Sequence, residues 1–143
     1  MGEKENWEKF TLWEEATRVP FIIKAPGITT AGSRSNQPVS LLDVYPSLVE
    51  LAGFDVPEHC DGTSVLPLIK DSKIKRNHSA LTSFNFNRST ANYRKNPVVG
   101  HALRGERFRY IYYEKLGLEE LYDHSNDPSE FNNLAYRKDS KKL

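Results

Sequence analysis

Apolar residues recur at helical spacing over residues 40–53, where Leu41, Tyr45, Leu48 and Ala52 share one stripe flanked by Leu42 and Val49. Gly53 supplies a natural stop. Pro46 fits only near the start of such a helix, because deeper in it a proline removes a hydrogen bond and clashes with the preceding turn. That predicts Asp43 as the N-cap, with Ser40 as an earlier, distorted alternative. Ahead of this helix, residues 18–24 (RVPFIIK) form a short apolar run closed by Ala25-Pro26-Gly27, predicting a buried strand that ends in a turn. Residues 10–17 have no clean period and read as a short helical turn or loop, and the Thr-, Ser- and Gly-rich residues 28–37 read as a loop. Residues 54–62 carry turn chemistry, and an apolar stretch follows at 65–69.

Past the charged stretch 70–76, which reads as a solvated linker, the period changes to two. Ala80, Thr82, Phe84 and Phe86 alternate with Leu81, Ser83 and Asn85. Later, Phe108, Tyr110 and Tyr112 alternate with Arg107, Arg109, Ile111 and Tyr113. Lys115-Leu116-Gly117 then turns the chain into residues 118–122, so the second half is expected to be an antiparallel sheet. In that sheet Tyr110, Tyr112 and Tyr113 are expected in core and cross-strand packing, and Arg107 and Arg109 on the solvated face. Asp127-Pro128-Ser129-Glu130 suits a turn that opens a short terminal helix. Trp7 and Trp13 are expected to pack against the strand at 19–23.

Composition adds exclusions. With 143 residues, 38% hydrophobic and 27% charged, the chain is long enough for a single domain with a real core. No apolar run approaches the roughly 18 residues of a spanning helix, and the start MGEKENWEKF lacks the apolar segment of a signal peptide. Membrane insertion and self-directed secretion are therefore not expected. The net charge is +1 and the basic residues are scattered, so no nucleic-acid footprint is expected. Cys60 stands alone, which excludes a disulfide framework or a thiolate zinc site within these residues. His59, His78, His101 and His124 have no ligand-like spacing, and no phosphate-binding glycine loop, HExxH or GxSxG is present. From pattern alone the chain is an α+β domain without a self-sufficient catalytic set.

Short motifs read in order carry more. Trp7-x-Lys9-x-Thr11 with Glu14, Arg18 and Pro20 comes first, then Asp43-Val44-Tyr45-Pro46, Leu51-Ala52-Gly53 and Asp61-Gly62-Thr63-Ser64. Leu103-Arg104-Gly105-Glu106-Arg107-Phe108-Arg109-Tyr110 follows, and Leu121-Tyr122-Asp123 with Asn126-Asp127-Pro128 completes the series. Together they resemble the C-terminal portion of the sulfatases, members of the alkaline-phosphatase-like superfamily, with a flavour of the iduronate-2-sulfatase-like branch. The resemblance implies an α/β fold in the intact enzyme and hydrolysis of sulfate esters, here expected to be those of a sulfated sugar. It implies that residues 1–70 finish the large N-terminal domain with one strand and one helix, while residues 71–143 form the C-terminal antiparallel subdomain.

The resemblance also implies what this chain does not supply. The family's formylglycine nucleophile arises in a C/S-x-P-x-R motif, which His59-Cys60-Asp61-Gly62 does not match. Its calcium ligands correspond to positions ahead of Met1, so the chain is expected to be a C-terminal piece with no metal ligands and no activity alone. Its expected partners are then a missing N-terminal sulfatase domain and a sulfated carbohydrate, together with self-association through an unpaired sheet edge. Intact relatives are typically secreted, periplasmic or lysosomal, which leaves the compartment of this chain open. Lys9 matches the family lysine that binds the sulfate, a fixed ammonium beside the oxygens on which charge develops. His101 and Arg104 are expected at the substrate rim, where a guanidinium can pair bidentately with a sulfate or carboxylate. Gly2-Glu3-Lys4-Glu5 departs from the family's Gly-Glu-His-Gly. Asp43 is assigned to capping, Asp61-Gly62 to a turn, and Asp123 and Asp127 to loop structure. Two rival readings stand beside this one: a non-catalytic module that holds sulfated glycans, and a phosphodiesterase of the same superfamily.

Overall fold

The computed structural model describes residues 3–5, 10–86 and 98–137. Their contacts divide the chain into one unit of Met1–Val19 with Leu81–Leu143 and another of Pro20–Ala80. The N-terminal segment thus returns to the distant second half, a placement that motif order did not reveal.

In the first unit, helix α1 (Glu14–Thr17) precedes a four-stranded sheet of β1 (Ala80–Asn85), β2 (Val99–Arg104), β3 (Phe108–Tyr113) and β4 (Leu118–Asp123), ordered β1-β2-β3-β4. β2 pairs antiparallel with β3, setting Ala102 opposite Ile111 and Arg104 opposite Arg109, and β3 pairs antiparallel with β4. The turn into β4 has Lys115 and Gly117 at positive φ, a conformation that glycine adopts without strain. The period-two reading of this half therefore holds. Its core is Leu12, Ala102, Ile111 and Tyr122, with Trp13, Phe84, Phe86 and Tyr113 packed around it. Gly100 is required here, since a Cβ would stand 2.5 Å from Leu12 Cδ1.

The inner face carries Arg109, Ile111 and Tyr113, not the opposite set. Arg109 is only 2% exposed, so the expected solvated position is a buried one. Tyr110 and Tyr112 are instead exposed, on the face away from the core. One alternating set is wholly aromatic and the other mixes two arginines with Ile111 and Tyr113, and the set holding Ile111 takes the interior. Trp13 packs on this sheet core, and Trp7 lies outside the described residues. Residues 127–130 form a turn without a following helix, because Glu130 sits at φ 58° and the Asp127 carboxylate binds the Phe131 and Asn132 N–H groups.

In the second unit, a 3₁₀ turn (Leu41–Asp43) runs into α2 (Val44–Leu51), and α3 covers Leu66–Lys70. Ser40 is the cap: its Oγ accepts from the Leu42 N–H, and the Asp43 carboxylate returns to the Ser40 N–H at 3.1 Å. Asp43 itself has helical dihedrals, so the earlier of the two caps is realised. Gly53 ends α2 at φ 83°, as the stop signal predicts. The buried members of α2 are Pro46 and Ser47, and the Leu41, Tyr45, Leu48 stripe is exposed. Residues 18–24 are not a strand. Ile22 is 89% exposed and no described strand offers its hydrogen-bonding groups a ladder. No helix of the described residues is long and apolar enough to cross a membrane.

Candidate functional site

The first unit is held together around one buried guanidinium. Arg109 faces inward because Ile111 does, and a buried guanidinium is costly unless it is paired. Nη1 donates to the Leu12 carbonyl at 2.9 Å, Nη2 donates to the Glu14 carboxylate, and Nε lies 2.6 Å from Glu130 Oε1. Glu130 is equally buried, and its second oxygen accepts the Glu14 N–H at 2.9 Å. Trp13 has no side chain able to cap α1, so this remote carboxylate satisfies the orphan donor that opens the helix.

Arg104, next to Arg109 across the ladder, extends the network. Its Nε donates to Glu14 Oε2 at 3.2 Å, its Nη1 donates to the Gly105 and Glu106 carbonyls, and its Nη2 lies 3.0 Å from His124 Nδ1. A guanidinium only donates, so His124 Nδ1 is the acceptor and Nε2–H donates to Glu130 at 2.7 Å. Burial alone would raise the Glu14 carboxyl pKa, but the hydrogen bond and charge of Arg109, with Arg104 beyond it, hold it below the usual carboxylate value.

A second cluster centres on Glu120, which accepts from Trp13 Nε1 at 2.7 Å, Tyr122 Oη at 2.7 Å and Tyr113 Oη at 3.0 Å. Burial, reinforced by this carboxylate, pushes both tyrosine pKa values up. Lys4 Nζ stands 4.4 Å from the Trp13 ring centroid and 4.5 Å from that of Tyr122. Burial lowers its pKa against the opposing pull of Glu130, Glu120 and Asp127.

Of the residues singled out from sequence, Lys9 lies outside the described residues. His101 and Arg104 are three apart on β2 and take opposite faces, so the sheet does not bring them together. His101 bonds Ser83 Oγ through Nδ1 at 2.8 Å and Glu114 Oε1 through Nε2 at 2.9 Å. Asp127 is loop structure, as read, whereas Asp123 is the last residue of β4, paired with Phe108, so the loop reading fails there. Asp123 receives Arg107 Nε and Nη2 at 2.8 and 2.6 Å with the Ser125 N–H, and the Arg107 hydrogen bond pushes its pKa strongly down. Asp43 does more than close a capping box: fully buried, it also accepts the Thr63 N–H at 2.8 Å and pairs with Arg76 at 3.4 Å. Sequence reasoning passed over Glu14, Arg109, His124 and Glu130 as a set. They are joined across a sequence separation of up to 116 positions, which no local spacing reveals.

Glu14, His124 and Glu130 have ligand-type atoms within 4.8 Å of one another. Calcium needs six to eight oxygens, whereas here two guanidinium groups already hold Glu14 Oε2 and one of them Glu130 Oε1, and the Glu14 N–H takes Glu130 Oε2. This donor set does not fit the cation that the family resemblance implies. Cys60, in His59-Cys60-Asp61-Gly62, does not fit the formylglycine frame either.

Comparison with known proteins agrees with the motif reading at the level of the sulfatase family. The family model for the C-terminal domain of N-sulphoglucosamine sulphohydrolase matches residues 2–143. A sulfatase from Formosa agariphila is 31% identical over 94% of this chain and 24% of its own length. A Delta 4,5-hexuronate-2-O-sulfatase from Bacteroides thetaiotaomicron is 35% identical over 87% of this chain and 26% of its own. A solved structure of an enzyme in complex with its substrate D-glucosamine-2-N,6-O-disulfate superposes with a TM-score of 0.78. It has 27% identity over 99% of this chain and 30% of that one. The chain thus spans about a quarter of the length of the curated relatives it matches. Its fold is that of the C-terminal part of the alkaline-phosphatase-like sulfatases, and the chain belongs to the sulfatase family through the N-sulphoglucosamine sulphohydrolase C-terminal domain.

Proposed function

We propose that this chain is the C-terminal part of a sulfatase that hydrolyses sulfate esters of a sulfated sugar, in the iduronate-2-sulfatase-like branch of the family. The observation that carries the reading is the family match over residues 2–143 in a chain one quarter as long as its relatives. Two relatives named for sulfated sugar substrates support the substrate class. In the intact enzyme residues 1–70 complete the large domain and residues 71–143 form the small one. The N-terminal domain is the partner of this chain, and it supplies the formylglycine nucleophile and the calcium ligands. The exposed apolar residues of 18–24 and α2 support that partnership and, in its absence, self-association.

Lys9 is assigned to the sulfate, where a positioned ammonium stabilises charge developing on the sulfonyl oxygens. The Arg109 and Glu130 bonds to Leu12 and Glu14 support this role by fixing the chain a few residues downstream. His101 and Arg104 are assigned to the substrate rim. Arg104 reaches a substrate only by giving up Glu14 and His124, and His101 only by releasing Ser83 or Glu114.

The test is an aryl sulfatase assay on the chain alone and on the same chain joined to an N-terminal sulfatase domain. Turnover is expected only in the joined protein, with Lys9→Ala lowering kcat by about 10²–10³-fold. Turnover by the chain alone, or a Lys9→Ala enzyme of undiminished kcat, overturns the reading.

A further inference from the structure

The outer face of the sheet joins His101, assigned above to the substrate rim, to Ser83 and Glu114, which sulfate-ester hydrolysis does not use. Phe86 N–H donates to the Val98 carbonyl at 2.9 Å, and carrying that register along the β1–β2 pair sets Ser83 opposite His101. The Phe84 N–H then points toward β2 and the Ser83 N–H away from it, so 83 and 101 form the non-hydrogen-bonded type of pair, whose side chains lie closest. Ser83 Oγ is 2.8 Å from His101 Nδ1, and His101 Nε2 is 2.9 Å from Glu114 Oε1 just past the end of β3. A carboxylate only accepts, which assigns the ring proton to Nε2 and leaves Nδ1 as the acceptor for the serine hydroxyl. Nucleophile, base and orienting carboxylate are therefore in hydrogen-bond contact in the order that activates a serine.

The surroundings suit a reaction on this face. Ser83 is exposed. Its own N–H points off β1, the edge strand among the described residues, and is a donor for a developing oxyanion. Leu81 and Leu103, two residues along from Ser83 and His101 on the same face, are 56% and 45% exposed, and Tyr110 lies opposite Leu103. They form an apolar shelf beside the hydroxyl.

We propose that Ser83, His101 and Glu114 form an acyl-transfer site for carboxylic esters with a small acyl group and an apolar or aryl alcohol. The Ser83 oxygen lone pair bonds the ester carbonyl carbon while the hydroxyl proton passes to His101 Nδ1 and the carbonyl π pair moves onto oxygen. Collapse re-forms the carbonyl and expels the alkoxide, which takes the proton from Nδ1. Water repeats the sequence at the acyl-serine, releasing the carboxylic acid and restoring the hydroxyl. Glu114 is a positioning residue that holds the imidazole through Nε2–H.

The test uses the 143-residue chain with a fluorophosphonate probe, whose P–F bond breaks with loss of fluoride as Ser83 Oγ bonds phosphorus, and with 4-nitrophenyl acetate. Neither reagent carries a sulfate ester, so the result is independent of the sulfatase reading. The expected result is one adduct, mapped by peptide mass to Ser83, that is absent in Ser83→Ala and in heat-unfolded chain. His101→Gln is expected to slow labelling and ester hydrolysis by about 10²–10⁴-fold with an unchanged circular dichroism spectrum. Glu114→Gln, which keeps a carbonyl acceptor for Nε2–H, is expected to lose less than His101→Gln does. No adduct on the folded chain, an adduct that persists in Ser83→Ala, or a His101→Gln variant labelled at the original rate overturns the proposal.

Discussion

The two units of this chain solve the burial problem in opposite ways. The sheet unit closes an apolar core of Leu12, Ala102, Ile111 and Tyr122 and places a charged network of Arg109, Glu14 and Glu130 beside it. The helical unit, Pro20–Ala80, is organised around polar groups. Asp43 and Ser47 are fully buried, Ser47 Oγ accepts the Val65 N–H at 2.8 Å, and the buried apolar residues are few: Val65, Leu66 and Leu68. Meanwhile Leu41, Leu42, Tyr45, Leu48 and Phe54 are all more than half exposed. Apolar burial is the dominant favourable term in folding, so the sheet unit carries its own stability, while the helical unit has its surface ready for burial elsewhere. The difference also separates what each unit is sensitive to: loss of a charge partner in one, loss of close backbone contact in the other.

The largest expected effect is therefore in the sheet unit. Arg109→Ala leaves the buried Glu130 without its guanidinium, Glu14 with Arg104 alone, and the Leu12 carbonyl without its donor. Removing one partner of a buried ion pair costs about 3–5 kcal/mol. Hydrogen exchange read peptide by peptide is expected to show β2, β3 and β4 losing protection while residues 40–70 keep theirs. Uniform loss in both units would show that they do not unfold separately, and an unchanged sheet would show that Arg109 is dispensable.

Next comes a single methyl in the helical unit. A Cβ on Gly62 would stand 2.0 Å from the Leu42 carbonyl oxygen and 2.8 Å from Asp43 N, both backbone atoms that cannot swing aside. Gly62→Ala must push residues 62–63 away from 42–43, and the Thr63 N–H bond to Asp43 is lost with that movement. Overpacking of this kind costs about 1–3 kcal/mol. The expected readout is lost protection in 40–70 with the sheet intact, the mirror image of Arg109→Ala. An alanine variant of unchanged stability would mean that this contact is not held in solution.

How much of this was legible depends on whether a local signal exists. The helix at 44–51, its glycine stop, the turn at 115–117 and the alternating strands are local properties of the chain, and each is found where the pattern places it. The polarity of β3 was not legible, because Arg107, Arg109, Ile111 and Tyr113 look no more interior than Phe108, Tyr110 and Tyr112 until partners are known. Burial of Arg109 rests on Leu12, Glu14 and Glu130, which lie 97, 95 and 21 positions away. The failed strand at 18–24 teaches the complementary point: an apolar run supplies strand propensity, but a strand needs a neighbour to receive its hydrogen bonds. At the site, the order of motifs identified the family, yet spacing gave no hint that Arg104 would turn toward Glu14 and His101 toward Ser83 and Glu114.

The smallest effect sharpens the comparison without any substitution. Glu14 and Asp123, both in the sheet unit, have carboxyl pKa values below the usual range, Glu14 through Arg109 and Arg104 against the opposing effect of burial, Asp123 chiefly through Arg107. A group whose pKa is lower folded than unfolded binds fewer protons in the native state, so stability falls where the unfolded chain takes up protons first. The two contributions are fully present above about pH 5 and begin to fade as the pH drops through the ordinary carboxylate range near 4. They are lost once the folded groups themselves protonate. Arg107 is half exposed, so solvent screens its pair with Asp123, and the loss is carried mainly by Glu14. Thermal melts from pH 7 to 3, followed by Trp13 and Trp7 fluorescence, are expected to decline below about pH 5. Arg109→Met, which removes the larger of the two guanidinium effects on Glu14 and leaves that of Arg104, is expected to flatten that decline in part. A melting temperature that falls equally steeply in this variant would place the acid sensitivity outside the sheet unit's charge network and leave the two units alike in their response to pH.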